Sequence, residues 1–386
     1  MKKLGYLTCA ALLAFASCTN EINEEGFVDK ANTISFNAYA NKTRAYTSGD
    51  INSATAMQDG TFGVVGYFGN SIYLGSESKA IAQCYNSEKS HWEYHTPDEL
   101  KFWPNGNMDF YAYFPYAASG DAFASSNSSE GTVMTINNTT GNQDVLIASA
   151  INRSYIERIP LNFYHAFSKV KEIKIKVALN DVDVTVSRVE FINTTSSANS
   201  QILVNKDGKA SYGNSTGEAC GLTLSSPVTI STTLNNVGYM VWNNEANKYL
   251  LSTQGIVENN NVTGTNKNMW DGTKTLLTDG KTLETLEQVC LKITGKVKYN
   301  ERYYVGDNDN DGVFYIPLKG TNHTTVGDGD TRNDLEHFFA GKRYSYNIIM
   351  KDNVGFKEDG DPILKPILFS VNSVDAWDDV TVTITL

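Results

Sequence analysis

Along this chain, apolar and polar residues alternate over short stretches separated by clusters of Gly, Asn, Asp and Ser. A period of two marks strands, and the clusters mark turns. Clear cases are 61–68 (TFGVVGYF), 108–115 (MDFYAYFP), 169–179 (KVKEIKIKVAL), 187–194 (SRVEFINT), 342–350 (KRYSYNIIM) and 380–386 (VTVTITL). In 169–179, Val170, Ile173, Ile175 and Val177 form an apolar set with one slip in register. The lysines between them predict a solvated face that discourages edge pairing. Phe110, Ala112 and Phe114 alternate with Tyr111 and Tyr113 after an Asn-Gly-Asn turn, which predicts a core hairpin. Residues 33–40 give a further strand with Ile34, Phe36 and Ala38 on one face. The whole pattern predicts an all-β chain built of β-sandwiches with a few short helices.

Helix signals are few. In TPDELKFW, Thr96 precedes Glu99 by three and Pro97 suits a first helical position. In NDLEHFFAG, Leu335, Phe338 and Phe339 share a helical face before Gly341. Residues 117–142, 195–217 and 255–280 are rich in Ser, Thr, Asn and Gly and read as long surface loops. A boundary near 166–169 divides the remainder into an N-terminal sandwich, 33–167, and a C-terminal sandwich, 168–386, closed by strand 380–386.

The first residues read differently. Lys2 and Lys3 precede an apolar run too short for a membrane span. The run ends in AFASC, which resembles a lipobox with Cys18 as the lipid acceptor. This predicts a lipoprotein signal peptide over 1–17 and an acidic tether over 18–32. Cleavage by ordinary signal peptidase is the alternative. An acyl chain on Cys18 tethers a protein to the outer membrane without spanning it. The formal net charge of −11 makes the chain a poor nucleic-acid binder, and no nucleic-acid partner is expected. Cys84, Cys220 and Cys290 are scattered, without a Cys-x-x-Cys, and form neither a disulfide framework nor a zinc site.

Chemistry-bearing patterns are weak. Asp307, Asp309, Asp311 and Gly312 match the first half of a calcium-binding EF-hand loop. The twelfth position should be Glu and is Leu318, inside a strand-like run, so an acidic hairpin turn is the plainer reading. His91 and His95 fall on a strand pattern, about 13 Å apart, too far for one metal. His165 is flanked by aromatics and reads as a buried, hydrogen-bonded structural residue. No catalytic residue, metal site or cofactor is predicted, and the chain is read as no enzyme. The 21 Tyr, 17 Phe and 5 Trp serve sandwich cores, or, where exposed, a host glycan or protein ligand.

Several motifs recur in order: ISFNAYANKTRA (34–45), KFWPNGNMDFYAYFPY (101–116), LNFYHAFSKVKEIKIK (161–176), GKRYSYNIIM (341–350) and VDAWDD (374–379). With the lipobox, they resemble the fimbrillin family, lipoprotein-derived pilus subunits of Gram-negative bacteria. The resemblance implies two tandem transthyretin-like β-sandwich domains and a structural or adhesive role. It further implies export as a lipoprotein and extracellular cleavage after an Arg near the start, here between Arg44 and Ala45. Loss of the first strand, with Ile34, Phe36 and Ala38, would then open a groove for a strand from the next pilin subunit. The candidate donor is 380–386, with Val380, Val382, Ile384 and Leu386 on one face. Those four side chains would contribute about 6–12 kcal/mol gross on burial. The rival readings are a non-polymerising adhesin or glycan-binding lipoprotein on the same scaffold, and a secreted hydrolase.

Overall fold

In the computed structural model the described residues are 33–40, 54–116, 122–124, 127–138, 143–156, 158–194, 197–208, 210–218, 220–231, 238–243, 249–250, 256–258, 261–263, 270–272, 281–283, 288–319, 338, 340–351, 353–364, 370–371 and 378–385. They are almost entirely β, as the alternation predicts. The first ten strands are β1 (Phe36–Ala40), β2 (Thr61–Phe68), β3 (Ser71–Leu74), β4 (Ile81–Asn86), β5 (His91–Tyr94), β6 (Met108–Phe114), β7 (Ala122–Phe123), β8 (Gly131–Asn138), β9 (Leu146–Arg153) and β10 (Ile159–His165). Eight of them form one sheet in the order β1-β10-β9-β6-β2-β4-β5, with β3 paired to β2.

The remaining strands are β11 (Ser168–Val177), β12 (Val182–Ile192), β13 (Ser197–Asn205), β14 (Ala210–Glu218), β15 (Cys220–Ser231), β16 (Tyr239–Asn243), β17 (Tyr249–Leu250), β18 (Ile256–Glu258), β19 (Asn261–Thr263), β20 (Cys290–Tyr299), β21 (Arg302–Val305), β22 (Gly312–Pro317), β23 (Lys342–Met350), β24 (Ser370–Val371) and β25 (Asp378–Thr385). One sheet runs β16-β11-β23-β25-β24 and another β15-β12-β20-β21. Val170, Ile173, Ile175, Tyr344, Tyr346 and Ile348 of the first pack against Val184, Val186, Val189, Leu291 and Ile293 of the second. A third sheet, β14-β13-β8-β7, covers one face of the eight-stranded sheet.

Strand β6 shows why the N-terminal part needs so many aromatics. Phe110, Ala112 and Phe114 face one core with Phe36 and Phe62. Tyr111 and Tyr113 face the opposite core with Met134, Ile136, Ile202 and Val204. Both faces of the strand are therefore buried. Tyrosine suits the second core because each ring can hand its hydroxyl to a partner. Tyr67 donates to the Ala124 carbonyl at 2.6 Å, and Tyr111 donates to Asn127 at 2.8 Å. Burial pushes the Tyr67 hydroxyl up to about 12, although its bond with Thr132 opposes the rise.

Several expectations are corrected. The stretch 117–142 is not a plain loop, because it contains β7 and β8. The stretch 195–217 is likewise largely a hairpin, β13 with β14, and β13 pairs with β8 from Ala198↔Asn138 to Asn205↔Gly131. Polar strands hidden among Ser, Asn and Gly owe their extension to this long-range pairing rather than to propensity. The third expected loop, 255–280, carries the short pair β18 and β19. The expected helix after Thr96 is one 3-10 turn, Pro97–Glu99, and Thr96 makes no side-chain cap. Glu99 pairs instead with Lys79. The helix expected in 333–341 lies outside the described residues, apart from Phe338, Ala340 and Gly341.

Strand β11 confirms the slip in 169–179. Its pairing with β23 shifts between Val170 and Glu172, and Val170, Ile173, Ile175 and Val177 are all buried. Its lysines do not mark an edge, since β16 and β17 flank β11 on one side and β23 on the other. Of the aromatics flanking His165, Phe163 lies in the core with Phe36 and Phe167 lies in the core with Tyr111. His165 is buried, and its Nδ1 lies 2.9 Å from Asp144 Oδ1, as expected of a structural histidine.

Candidate functional site

The site is the slot occupied by β1. Residues 34–40 alternate strictly, and the structure uses that alternation to bury Ile34, Phe36 and Ala38 together. Tyr39, on the other face, is 47% exposed. β1 lies at the end of its sheet and runs parallel to β10, from Phe36↔Ile159 to Ala40↔Phe163. The Ile159 amide donates to the Ser35 carbonyl at 2.8 Å.

The eight-stranded sheet curls so that its two ends meet at the start of β1. The Ile34 amide donates to the Lys101 carbonyl at 2.9 Å. Tyr94, on β5, donates its hydroxyl to the Ile34 carbonyl at 2.9 Å. Burial raises the Tyr94 hydroxyl pKa well above the ordinary tyrosine value, so it remains a donor. Thr33 forms a bridge with Phe102. These contacts tie only the start of this segment to the far end of the sheet; along β1 itself the ladder is the one with β10.

Aromatic edges line the slot. The Phe36 ring stands edge-on to Phe62 at 6.3 Å and to Phe110 at 5.4 Å. Phe62 also meets Trp92 at 4.9 Å and Phe163 at 5.5 Å. Full burial of Ile34 and Phe36 contributes about 1.5–3 kcal/mol for each side chain. Removing β1 would expose the rings of Phe62, Phe110 and Phe163, together with one edge of β10.

The other predicted positions distribute as follows. Cys18, Arg44, Ala45 and Leu386 lie outside the described residues, and Ala40 is the last described residue before Arg44. Val380, Val382 and Ile384 lie on β25, at register positions opposite Tyr344, Tyr346 and Ile348 of β23. β25 is parallel to β23 over residues 378–385, and Ser370 and Val371 of β24 pair with its other side. The tail therefore occupies the chain's own sheet and is not brought to the β1 slot. Cys84 and Cys290 are not disulfide-bonded.

The acidic stretch Asp307–Gly312 is the turn between β21 and β22. Asp307 Oδ1 accepts from the amides of Asp309 and Asn310 at 2.8 and 2.7 Å. Asp311 Oδ2 accepts from the Ser187 hydroxyl at 2.6 Å, and Lys296 Nζ donates to the Asn308 carbonyl at 2.8 Å. The backbone amides hold the Asp307 carboxyl below the usual carboxylate range. Leu318, where a calcium loop needs Glu, is fully buried. Among the described residues, no group of His, Cys, Asp or Glu is arranged to hold a metal. No helix among the described residues is long and apolar enough to cross a membrane.

Sequence reasoning passed over Tyr94, Lys101 and Gln83. Tyr94 was legible only as part of an alternating HWEY run, and Gln83 only as an amide inside the apolar stretch IAQCYN.

A family model described as fimbrillin-like matches residues 43–361. The chain belongs to the fimbrillin-like family. Among solved structures it is similar to a fimbrial protein from Bacteroides vulgatus, with 14% identity and a TM-score of 0.36, over 92% of this chain and 97% of that one. It is also similar to a "putative cell adhesion protein" from Bacteroides uniformis, with 12% identity and a TM-score of 0.35, over 92% of this chain and 96% of that one. At these scores neither likeness bears on the β1 slot. No curated protein matches the chain.

Proposed function

We propose that the chain is a structural or adhesive subunit of a cell-surface pilus, assembled by proteolysis-triggered strand exchange. In this reading it is exported as a lipoprotein anchored to the outer membrane through Cys18. Cleavage between Arg44 and Ala45 frees it from the anchor and releases β1. A tail strand of another subunit, of the kind found at 380–386, then fills the slot. Two tandem sandwich domains, 33–167 and 168–386, carry the two ends of this exchange, with the β13–β14 hairpin lent to the first.

The single observation that supports this most is the character of β1. It is an edge strand with its inward side chains buried, so its loss uncovers an apolar slot beside an unpaired strand edge. Such an edge is a template for strand addition. While β1 is covalently attached, its effective concentration is on the order of millimolar or above, which blocks a competitor of similar quality. Cleavage removes that advantage.

β25 must leave its own sheet to serve as donor, and its pairing with β23 favours a second reading. That reading is a surface adhesin that keeps its lipid, its first strand and its tail. Treatment of the purified protein with an Arg-specific protease separates the two. The pilus reading expects a new N-terminus at Ala45 and the growth of oligomers. Complete cleavage with no change from monomer would overturn it.

A further inference from the structure

We propose that Gln83 is a specificity-determining residue of the β1 slot, favouring an incoming strand that points a hydroxyl or amide side chain inward at its level. The proposal rests on the strand-exchange reading and adds to it a chemical preference for the strand. Gln83 lies on β4 and is fully buried. Among the described residues, neither its Nε2 nor its Oε1 has a hydrogen-bond partner.

Its place in the sheet shows where the carboxamide points. Gln83 is directly opposite Phe62 on β2 and Tyr94 on β5. Directly opposed residues project from the same face of a sheet. Both neighbours belong to the core that β1 closes, and both touch β1: Phe62 through the Phe36 ring, Tyr94 through the Ile34 carbonyl. Ile81, two residues before Gln83 on the same strand, lies in that core as well. Gln83 therefore projects into the interior that β1 covers.

The resident strand brings it nothing. Ile34, Phe36 and Ala38 carry no hydrogen-bonding side chain, and the Tyr94 hydroxyl is already committed to a backbone carbonyl. An unpaired carboxamide held out of water disfavours the closed state, and a single partner removes most of that penalty. A strand otherwise as apolar as β1, but with one inward Thr, Ser, Asn or Gln near this point, gains over the resident. Seated with Val380, Val382 and Ile384 inward, the 380–386 pattern gains nothing from Gln83. A one-residue shift in register turns Thr381, Thr383 and Thr385 inward instead.

The test uses full-length protein cleaved after Arg44, with β1 still held by its contacts. Synthetic peptides of residues 33–40 are offered as competitors, either unchanged or with Ile34→Thr or Ala38→Thr. Phe36 is left alone because its ring is wedged among others. At least one threonine peptide is expected to exchange in about tenfold better relative to the unchanged peptide in the Gln83 protein than in a Gln83→Leu variant. Identical peptide rankings in the two proteins would overturn the proposal. If no peptide exchanges, even the unchanged one, strand exchange fails and a second measurement decides the role of Gln83. In the uncleaved chain, Ile34→Thr and Ala38→Thr are each combined with Gln83, Gln83→Leu and Gln83→Met. At least one threonine should be better tolerated beside Gln83, by about 2 °C or more in Tm. Equal losses in all backgrounds would overturn it.

Discussion

The hydroxyl of Tyr94 donates to the carbonyl of Ile34 at 2.9 Å, joining the two ends of the eight-stranded sheet. The two residues are far apart in sequence and belong to opposite ends of the strand order. Through this bond and the neighbouring contact of Ile34 with Lys101, the first strand is held on both sides at its start but mainly by β10 further along. On the strand-exchange proposal, release of β1 would break few backbone hydrogen bonds outside the β10 ladder.

Tyr94→Phe removes that donor and leaves the Ile34 carbonyl without it. A loss of about 1–3 kcal/mol is expected in urea unfolding of the uncleaved chain. Spontaneous loss of β1 after cleavage should accelerate correspondingly. An unchanged midpoint and an unchanged release rate would show that the bond does not hold the strand.

Phe36→Ala removes the ring that stands between Phe62 and Phe110. The cavity and lost burial should cost about 3–5 kcal/mol. Tyr39→Ala, on the exposed face of the same strand, should stay within about 0.5 kcal/mol. Equal effects at the two positions in paired denaturant titrations would contradict the assigned faces.

Asp144→Ala leaves His165 without the carboxylate 2.9 Å from its ring nitrogen, in a buried setting. The expected destabilisation is about 1–3 kcal/mol. Thermal unfolding measures it, and a change below about 0.5 kcal/mol would reduce the pair to a packing contact.

Asp307 closes its own turn, so its ionised form is favoured in the folded state. Its contribution is present above the unfolded carboxylate pKa and is lost as pH falls through the lower, folded value. In an acid titration followed by side-chain NMR, Asp307 should titrate below the ordinary aspartate range. Millimolar calcium should leave the turn unchanged, since the Asp307 and Asp311 side chains and the Asn308 carbonyl are already bonded within the protein. A calcium-dependent rise in Tm would refute that.

Much of this was legible locally. Ile34, Phe36 and Ala38 were assigned to one face from their spacing, and the structure buries all three. The slip in the 169–179 strand was visible as a break in the spacing of its apolar residues, and the ladder to β23 shifts at that place. The hairpin of β13 and β14 was invisible, because residues such as Ser197, Asn199, Asn214 and Ser215 carry turn-like propensities. The closure by Tyr94 was equally hidden, since nothing local distinguishes a tyrosine that will meet a carbonyl sixty residues away.

The sequence by itself determined which segments are extended and which face of β1 is apolar, because alternation is a property of consecutive residues. Only the tertiary structure decided that β1 ends a sheet beside β10, that β6 is buried on both faces, and that Gln83 has no hydrogen-bond partner among the described residues. Those outcomes depend on which distant strands pair. That choice is made by the summed packing of whole sheets against the entropy of closing long loops, and no single stretch of the chain records it.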